Sequence, residues 1–484
     1  MAAIRFVDTT IRDGHLSLWA SGMTTGMMLP VAETLDGAGF DAIEVLSDGQ
    51  MGKAVRDLKD DPFERIRMVA ERTPNTPLRL IAGRINTFEH EPPEAFALFL
   101  DLAARNGIAE VRISDPWNEY AGWKRRVDAA HAAGLRVILN LVYSISPVHT
   151  DAYYAERCRQ AASLGAWRLC FKDPGGLLTP ERTRALVPVM LENAGPTPVE
   201  FHTHCTTGLG PHCVVEAIAG GMTIVNTALP PLSDGASNPS TFDIAAHASA
   251  LGHEPELDLD SLKPVRAHFE TVAGREGFPV GRPAAFDAGQ HRHQVPGGMI
   301  SNLAFQLRKV GMEDRLADTL EETVRVRAEL GYPVMVTPLS QFVGSQAAIN
   351  VIAGERYREV TDQVIEYALG HHGETAVAAM DPDIRARILD RRRADELRRR
   401  DEPTIDELRE RFGGPSVSDE DMMLRWLFGA DAVDAQRRSG PPVPYPSGRH
   451  PVVELVDRLA QRDDRALIAV ERPGLRLRLE RRAG

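Results

Sequence analysis

Through the first 250 residues, short apolar runs alternate with amphipathic stretches, a pattern that few folds accommodate. Strands are expected at residues 4–10, 41–46, 78–82, 110–114, 135–141, 168–171, 199–202 and 223–227. Helices are expected between them at residues 24–35, 62–71, 94–105, 119–133 and 180–192. Eight or nine such units in an α/β chain are the pattern of a (β/α)8 TIM barrel. A doubly wound open sheet is the alternative, but no Gly-x-Gly-x-x-Gly follows the first strand.

After the barrel the composition shifts. Residues 264–278 and Gly281-Arg282-Pro283 read as a connection to a mainly helical second region. Helices are expected there at residues 312–330, 343–354, 359–369, 404–411 and 418–428. Residues 381–400 read as one charged helix, a solvated face rather than an RNA-binding patch. The expected boundaries are a metal-binding barrel over 1–285, a helical domain over 286–436, and a linker and short tail over 437–484. In the tail, residues 475–480 alternate Leu and Arg and fit a small strand.

Composition narrows the function. A net charge of −12 argues against a nucleic-acid partner. No apolar run is long enough to span a bilayer, and the first residues enter a strand pattern with no signal-peptide core. Cys158, Cys170, Cys205 and Cys213 show no framework spacing, so a reducing cytoplasm is the expected location.

In a barrel, chemistry gathers where strands end. Strand seven ends in His202-Thr203-His204, whose i, i+2 spacing projects both imidazoles to one side, half of a divalent-metal site. Taken alone, the pair is weak evidence and reads first as two hydrogen-bonded surface histidines. Three further polar ends converge on the same rim: Asp8-Thr9-Thr10-Ile11-Arg12-Asp13-Gly14-His15, Arg112-Ile113-Ser114-Asp115 and Lys172-Asp173. Any one of them could be a loop cap. Lys172 closes the apolar run Leu169-Cys170-Phe171, where burial lowers an ammonium pKa. A neutral amine can add CO2 to become a carbamate, an oxygen ligand for a metal beside Asp13, His202 and His204. The alternative is a lysine salt-bridged to Asp173 or Asp13. Only six of the 56 basic residues are lysine, which favours chemistry that arginine cannot supply.

Several motifs together resemble the biotin-dependent carboxyltransferases: the carboxyltransferase domain of pyruvate carboxylase, the oxaloacetate decarboxylase alpha subunit and the transcarboxylase 5S subunit. They are Thr10-Ile11-Arg12-Asp13-Gly14-His15, Phe171-Lys172-Asp173 with Gly176-Leu177-Leu178-Thr179, and His202-Thr203-His204-Cys205-Thr206-Thr207-Gly208. Gln294-Val295-Pro296-Gly297-Gly298-Met299, Thr337-Pro338-Leu339-Ser340-Gln341 and Ala353-Gly354-Glu355-Arg356-Tyr357 resemble the family's second, funnel-like domain. The resemblance implies one divalent metal on Asp13, carbamylated Lys172, His202 and His204, with zinc ahead of manganese, cobalt or magnesium. It implies a catalytic set of Asp13, His15, Arg112, Asp115 and Lys172, to which Arg84 is added from this sequence itself, and a cofactor contact at Ser237 and Asn238. It further implies that CO2 passes between carboxybiotin and an enolisable carboxylate such as a 2-oxo acid, in either direction, in a homodimer or larger assembly.

This chain departs from the family pattern where substrate is handled. Leu16 replaces a glutamine, Ala82 replaces the arginine that grips the substrate carboxylate, and Ala236 replaces a threonine assigned to proton transfer. Arg84, two residues after Ala82, is the nearby candidate for an anion. No lysine follows Lys309, so a biotin carrier and a biotin carboxylase are expected as separate polypeptides. The competing expectations are a biotin-independent metal lyase or hydrolase built on the same centre, and a non-catalytic scaffold.

Overall fold

Residues 137–142 (VILNLV) are apolar at five of six positions, which suits a strand covered on both faces. The computed structural model describes residues 2–83, 85, 91–115, 117–295, 300, 303–304, 307–336, 339–371, 373, 377–398, 403–412, 414–446, 456, 459, 467–472 and 475–480. Eight parallel strands form the barrel: β1 (Ala3–Asp8), β2 (Ala42–Ser47), β3 (Leu78–Ala82), β4 (Ile108–Ile113), β5 (Arg136–Val142), β6 (Arg168–Asp173), β7 (Val199–Thr203) and β8 (Ile224–Thr227). Each pairs with its sequence neighbour, and β8 pairs with β1, which closes the ring. The two-residue β9 (Glu254–Pro255) runs alongside the start of β1. The TIM barrel is therefore present.

Three local expectations needed correction. The first strand stops at Asp8, and Thr10–Gly14 winds into a π-helical turn in which Gly14 N–H reaches Thr9 O at 3.0 Å. A Cβ on Gly14 would lie 2.9 Å from the Leu232 carbonyl oxygen, so the β1 and β8 loops can meet there only at glycine. Residues 264–278 are not a loose connection: Lys263–Glu276 is a helix, with Pro264 in its first turn and Val265, Phe269, Val272 and Ala273 buried at helical spacing. The charged stretch 381–400 breaks into Pro382–Leu389 and Arg392–Leu397. Arg391 folds back at the break and donates to the carbonyls of Ile388, Arg387 and Tyr357, capping the first helix. Residues 399–400 lie outside the described residues.

The barrel interior is charged. Strand alternation turns Glu110 and Arg112 of β4, Arg79 of β3, Glu44 of β2 and Glu200 of β7 inward, all fully buried. Arg79 Nη1 lies 2.7 Å from Glu200 Oε1, Arg79 Nη2 lies 2.9 Å from Glu110 Oε2, and Arg112 Nη1 lies 2.9 Å from Glu44 Oε1. Desolvating so many charges is tolerable only because each finds an opposite charge at contact distance. The same two-residue period that sinks Glu200 into this floor lifts His202 and His204 above it.

A second hydrophobic core gathers Val295, Phe342, Tyr357, Ile365 and their neighbours. It is tied to the β5 loop by Arg327, whose Nη1 donates to Ile145 O at 3.0 Å and Nη2 to Ser144 Oγ at 2.8 Å. Gln294 Nε2 donates to the same Ile145 carbonyl at 2.8 Å. Helices Asp419–Phe428 and Ala430–Ser439 return to the barrel, where Met423, Leu424 and Val433 join its core. The expected tail strand, β11 (Leu475–Glu480), pairs antiparallel with β10 (Leu467–Arg472). No helix among the described residues is long and apolar enough to cross a membrane.

Candidate metal centre

The π-helical turn after β1 carries Asp13 back over the barrel axis, where the carboxylate meets both β7 imidazoles. Asp13 Oδ2 lies 3.3 Å from His202 Nε2 and 3.4 Å from His204 Nε2. One ligand atom from each of the three side chains falls within 4.8 Å of the others, and all three residues are buried.

Hydrogen bonds behind the rings decide what those nitrogens can do. His202 Nδ1 faces Asn226 Oδ1 at 2.9 Å, and His204 Nδ1 faces the Ala236 carbonyl at 2.7 Å. Both partners are acceptors, so each Nδ1 carries the proton and each Nε2 presents a lone pair toward Asp13. Burial, then the Arg112 charge, pushes His202 down to about 3, so its ring is neutral. Burial opposes ionisation of Asp13, yet Arg12 at 2.8 Å holds its carboxyl well below the usual range. Two imidazoles and one carboxylate converging on a point fit a divalent cation.

Lys172 lies on β6 in register with His202 and is 7% exposed. Its Nζ has no hydrogen bond or ion pair among the described residues. The salt bridge to Asp173 is absent because that carboxylate accepts the Leu177 and Leu178 N–H groups and the Thr203 hydroxyl. Burial, then Arg112 and Arg12, pushes the Lys172 amine down to about 8. Gly176, at φ 62°, lets this loop pack onto the His204 backbone, where a Cβ would meet the His204 carbonyl at 2.8 Å.

The remaining expected site residues are placed differently. Arg112 lies in the floor, bonded to Glu44 and Asn226 beneath His202. His15 is fully buried and turned away from solvent: Nδ1 accepts the Met23 N–H at 3.3 Å, and Nε2 contacts Gln50 Nε2 at 2.8 Å. Asp115 turns into its own loop, where its oxygens accept the Trp117 and Glu119 N–H groups. Ser237 and Asn238 have no exposed surface. Asn238 ties β7 to β1, donating to Thr203 O at 2.8 Å and accepting from Thr9 Oγ1 at 2.7 Å. Arg84 and residues 296–299 and 337–338 lie outside the described residues.

Geometry adds four groups that sequence reasoning missed: Arg12, Glu44, Asn226 and the Ala236 carbonyl. Arg12 bridges Asp13 and Glu44, with Nε 2.8 Å from Glu44 Oε2. Asn226 and the Ala236 carbonyl fix the two histidine tautomers. Glu44 had a signal, an acid inside the apolar run Ala42–Ser47. Asn226 had none, since its role depends on the register between β7 and β8.

Fold and site together define a TIM barrel with a buried Asp–His–His cluster at its C-terminal rim that could hold a metal ion. Residues 118–268 match the family model described as HMGL-like, and residues 291–456 match the conserved carboxylase domain. A pyruvate carboxylase subunit of Methanocaldococcus jannaschii is 37% identical over 394 residues, covering 80% of this chain and 68% of that one. The methylmalonyl-CoA carboxyltransferase 5S subunit of Propionibacterium freudenreichii is 31% identical over 384 residues, covering 79% and 75%. The carboxyl transferase domain of Rhizobium etli pyruvate carboxylase superposes with a TM-score of 0.82 at 24% identity, covering 92% of this chain and 80% of that one, and shares the fold. The chain belongs to the biotin-dependent carboxyltransferase family, whose members use biotin and a divalent metal. It is an enzyme subunit of the carboxyl-transferring type.

Proposed function

We propose that this enzyme moves CO2 between carboxybiotin on a separate carrier polypeptide and an enolisable 2-oxo acid. The observation that carries this reading is the pair of imidazole Nε2 atoms aimed at Asp13 beside a buried Lys172 that has no partner among the described residues. Asp13, His202, His204 and a carbamate on Lys172 would hold the cation, and zinc suits such a nitrogen-and-oxygen donor set. When bound, the cation polarises the substrate carbonyl as a Lewis acid.

In the carboxylating direction, the N–CO2 bond of carboxybiotin breaks and a C–C bond forms at the substrate carbon next to the carbonyl. That carbon's proton passes to the biotin ureido nitrogen. Arg12, pinned between Asp13 and Glu44, holds positive charge at the edge of the site, where oxyanion character develops. Ala236 has no hydroxyl, so it steadies His204 through its carbonyl and carries no proton. Arg84 binds the substrate carboxylate in place of the arginine missing at Ala82. Residues 286–436 act as a helical domain beside the barrel 1–285, supported by the Gln294 and Arg327 bonds to the β5 loop. Separate carrier and carboxylase subunits, a homodimer or larger assembly, and a cytoplasmic location complete the reading. The last is supported by four buried free thiols.

The test is oxaloacetate decarboxylation by purified, metal-analysed protein with and without free biotin. Biotin-stimulated pyruvate release is expected; no release from protein carrying one metal per chain would overturn the 2-oxo acid reading.

A further inference from the structure

A cavity of about 220 Å³ opens beside the barrel rim, between the loop after β4 and the helical region. Arg125 and Arg126 form one wall, in the Tyr120–Ala132 helix, and Trp117 and His371 contribute from the other side. Arg126 is 8% exposed, and its hydrogen bonds go to neutral groups: Nε donates to the Gly83 carbonyl at 2.8 Å and Nη1 to the Gly122 carbonyl at 3.3 Å. Arg125 has no hydrogen bond or ion pair among the described residues. Five other buried arginines, Arg12, Arg65, Arg79, Arg112 and Arg168, meet carboxylates, whereas buried Arg327, like Arg126, bonds to neutral groups. Asp115 also borders the cavity, but its two oxygens already accept the Trp117 and Glu119 N–H groups. The Glu119 carboxylate borders it too, packed against the backbone of Gly373.

Two permanently charged guanidiniums therefore face a concave space without a carboxylate partner among the described residues. Guanidinium forks match carboxylates bidentately. At roughly 30 Å³ per water, the space holds about seven waters, enough for an acid of four or five carbons. An indole face suits the methylenes between two carboxylates.

We propose that this cavity binds a small dicarboxylate at a second site, separate from the metal centre. Arg125 and Arg126 belong to the barrel, whereas His371 belongs to the helical region and Trp117 packs against that region's core. A ligand held between them clamps the helical region to the barrel rim, so its concentration is coupled to the arrangement of the site mouth. This second site is independent of which acid the metal centre transforms.

The experiment is calorimetric titration of succinate into the full chain, its Arg125→Gln variant and its His204→Ala variant. Arg125 is exposed, so its replacement leaves the fold intact, which circular dichroism verifies. Saturable binding is expected in the wild type, unchanged in His204→Ala and at least about tenfold weaker in Arg125→Gln. Absence of saturable binding at millimolar succinate would overturn the proposal. So would binding that survives Arg125→Gln undiminished, or binding lost with His204→Ala, which assigns the heat to the metal centre.

Discussion

Asn226 lies just behind the metal centre, and replacing it tests whether tautomer control makes the site. Its Oδ1 accepts from His202 Nδ1 at 2.9 Å and from Arg112 Nη1 at 2.5 Å, with all three residues fully buried. In Asn226→Ala, Arg112 keeps Glu44 at 2.9 Å, but His202 loses its acceptor. The nearest remaining group to Nδ1 is Arg112 Nη1 at 3.5 Å, which can only donate. The ring is then better satisfied with its proton on Nε2, the atom facing Asp13, and that proton must be displaced before a metal binds. One buried hydrogen bond of about 1 to 1.5 kcal/mol corresponds to roughly tenfold, and the tautomer cost adds to it. A loss of about 10- to 100-fold in metal affinity is expected, the range for a lost ligand-orienting partner. Competition against a chromophoric chelator measures it. Asn226→Asp restores an acceptor and should recover most of the affinity, which separates orientation from simple loss of packing. Wild-type affinity in Asn226→Ala would refute the reasoning.

Lys172→Ala should abolish tight metal binding while the protein stays folded; undiminished metal content after dialysis would remove Lys172 from the ligand set. Arg84→Ala should raise KM for the 2-oxo acid without changing metal content, and normal steady-state kinetics would leave the carboxylate to another group. Asp8 is fully buried, and burial, only partly offset by its bonds to Thr10, pushes its carboxyl up to about 7. Unfolded, it releases its proton near 3.8. Between those values the folded state binds more protons, so this contribution to stability is complete below about pH 4, declines up to about pH 7 and is flat above. The wild type should therefore lose up to roughly 4 kcal/mol across that window relative to Asp8→Asn. Parallel urea midpoints for the two proteins from pH 4 to about pH 7 would sink the assignment.

Much of this was legible in sequence because it depends on period and local order. The barrel strands were anticipated to within a few residues, since apolar runs ended by polar groups are local signals. His202, His204 and Asp13 were legible because a strand's two-residue period and a strand-end rule suffice to aim them. The helices Asp151–Ala162, Gly210–Ala219 and Thr241–Ala250 were implied by the strand–helix alternation without bounds of their own, and the structure starts two of them at the caps Thr150 and Ser240. The turn of Asp115 into its own loop and the burial of His15 were illegible for another reason. Each depends on which backbone N–H groups a loop leaves free, and nothing in the residue order records that.

Where the chain keeps the family's residues and where it changes them follows mechanical support. His202 is held by β7, by Asn226 on β8 and, through Asn226, by the arginine–glutamate floor. Altering a ligand there disturbs a network of buried charges in which removing one partner costs about 3–5 kcal/mol. Leu16 and Ala236 lie in the connections after β1 and β8 and Ala82 is the last residue of β3, and none of these three side chains is a charged member of that network. Substitutions at these positions can accumulate without unfolding the barrel. A carboxyltransferase can therefore change its acid while keeping its metal centre. The acid this enzyme uses should accordingly differ from pyruvate first in the group that meets Leu16, which is 37% exposed at the rim and can offer only an apolar contact. A panel of 2-oxo acids of increasing apolar bulk decides the point: turnover rising with bulk in the wild type, and reverting toward pyruvate in Leu16→Gln, is the expected result. Equal preference for pyruvate in both proteins would mean that Leu16 does not touch the substrate.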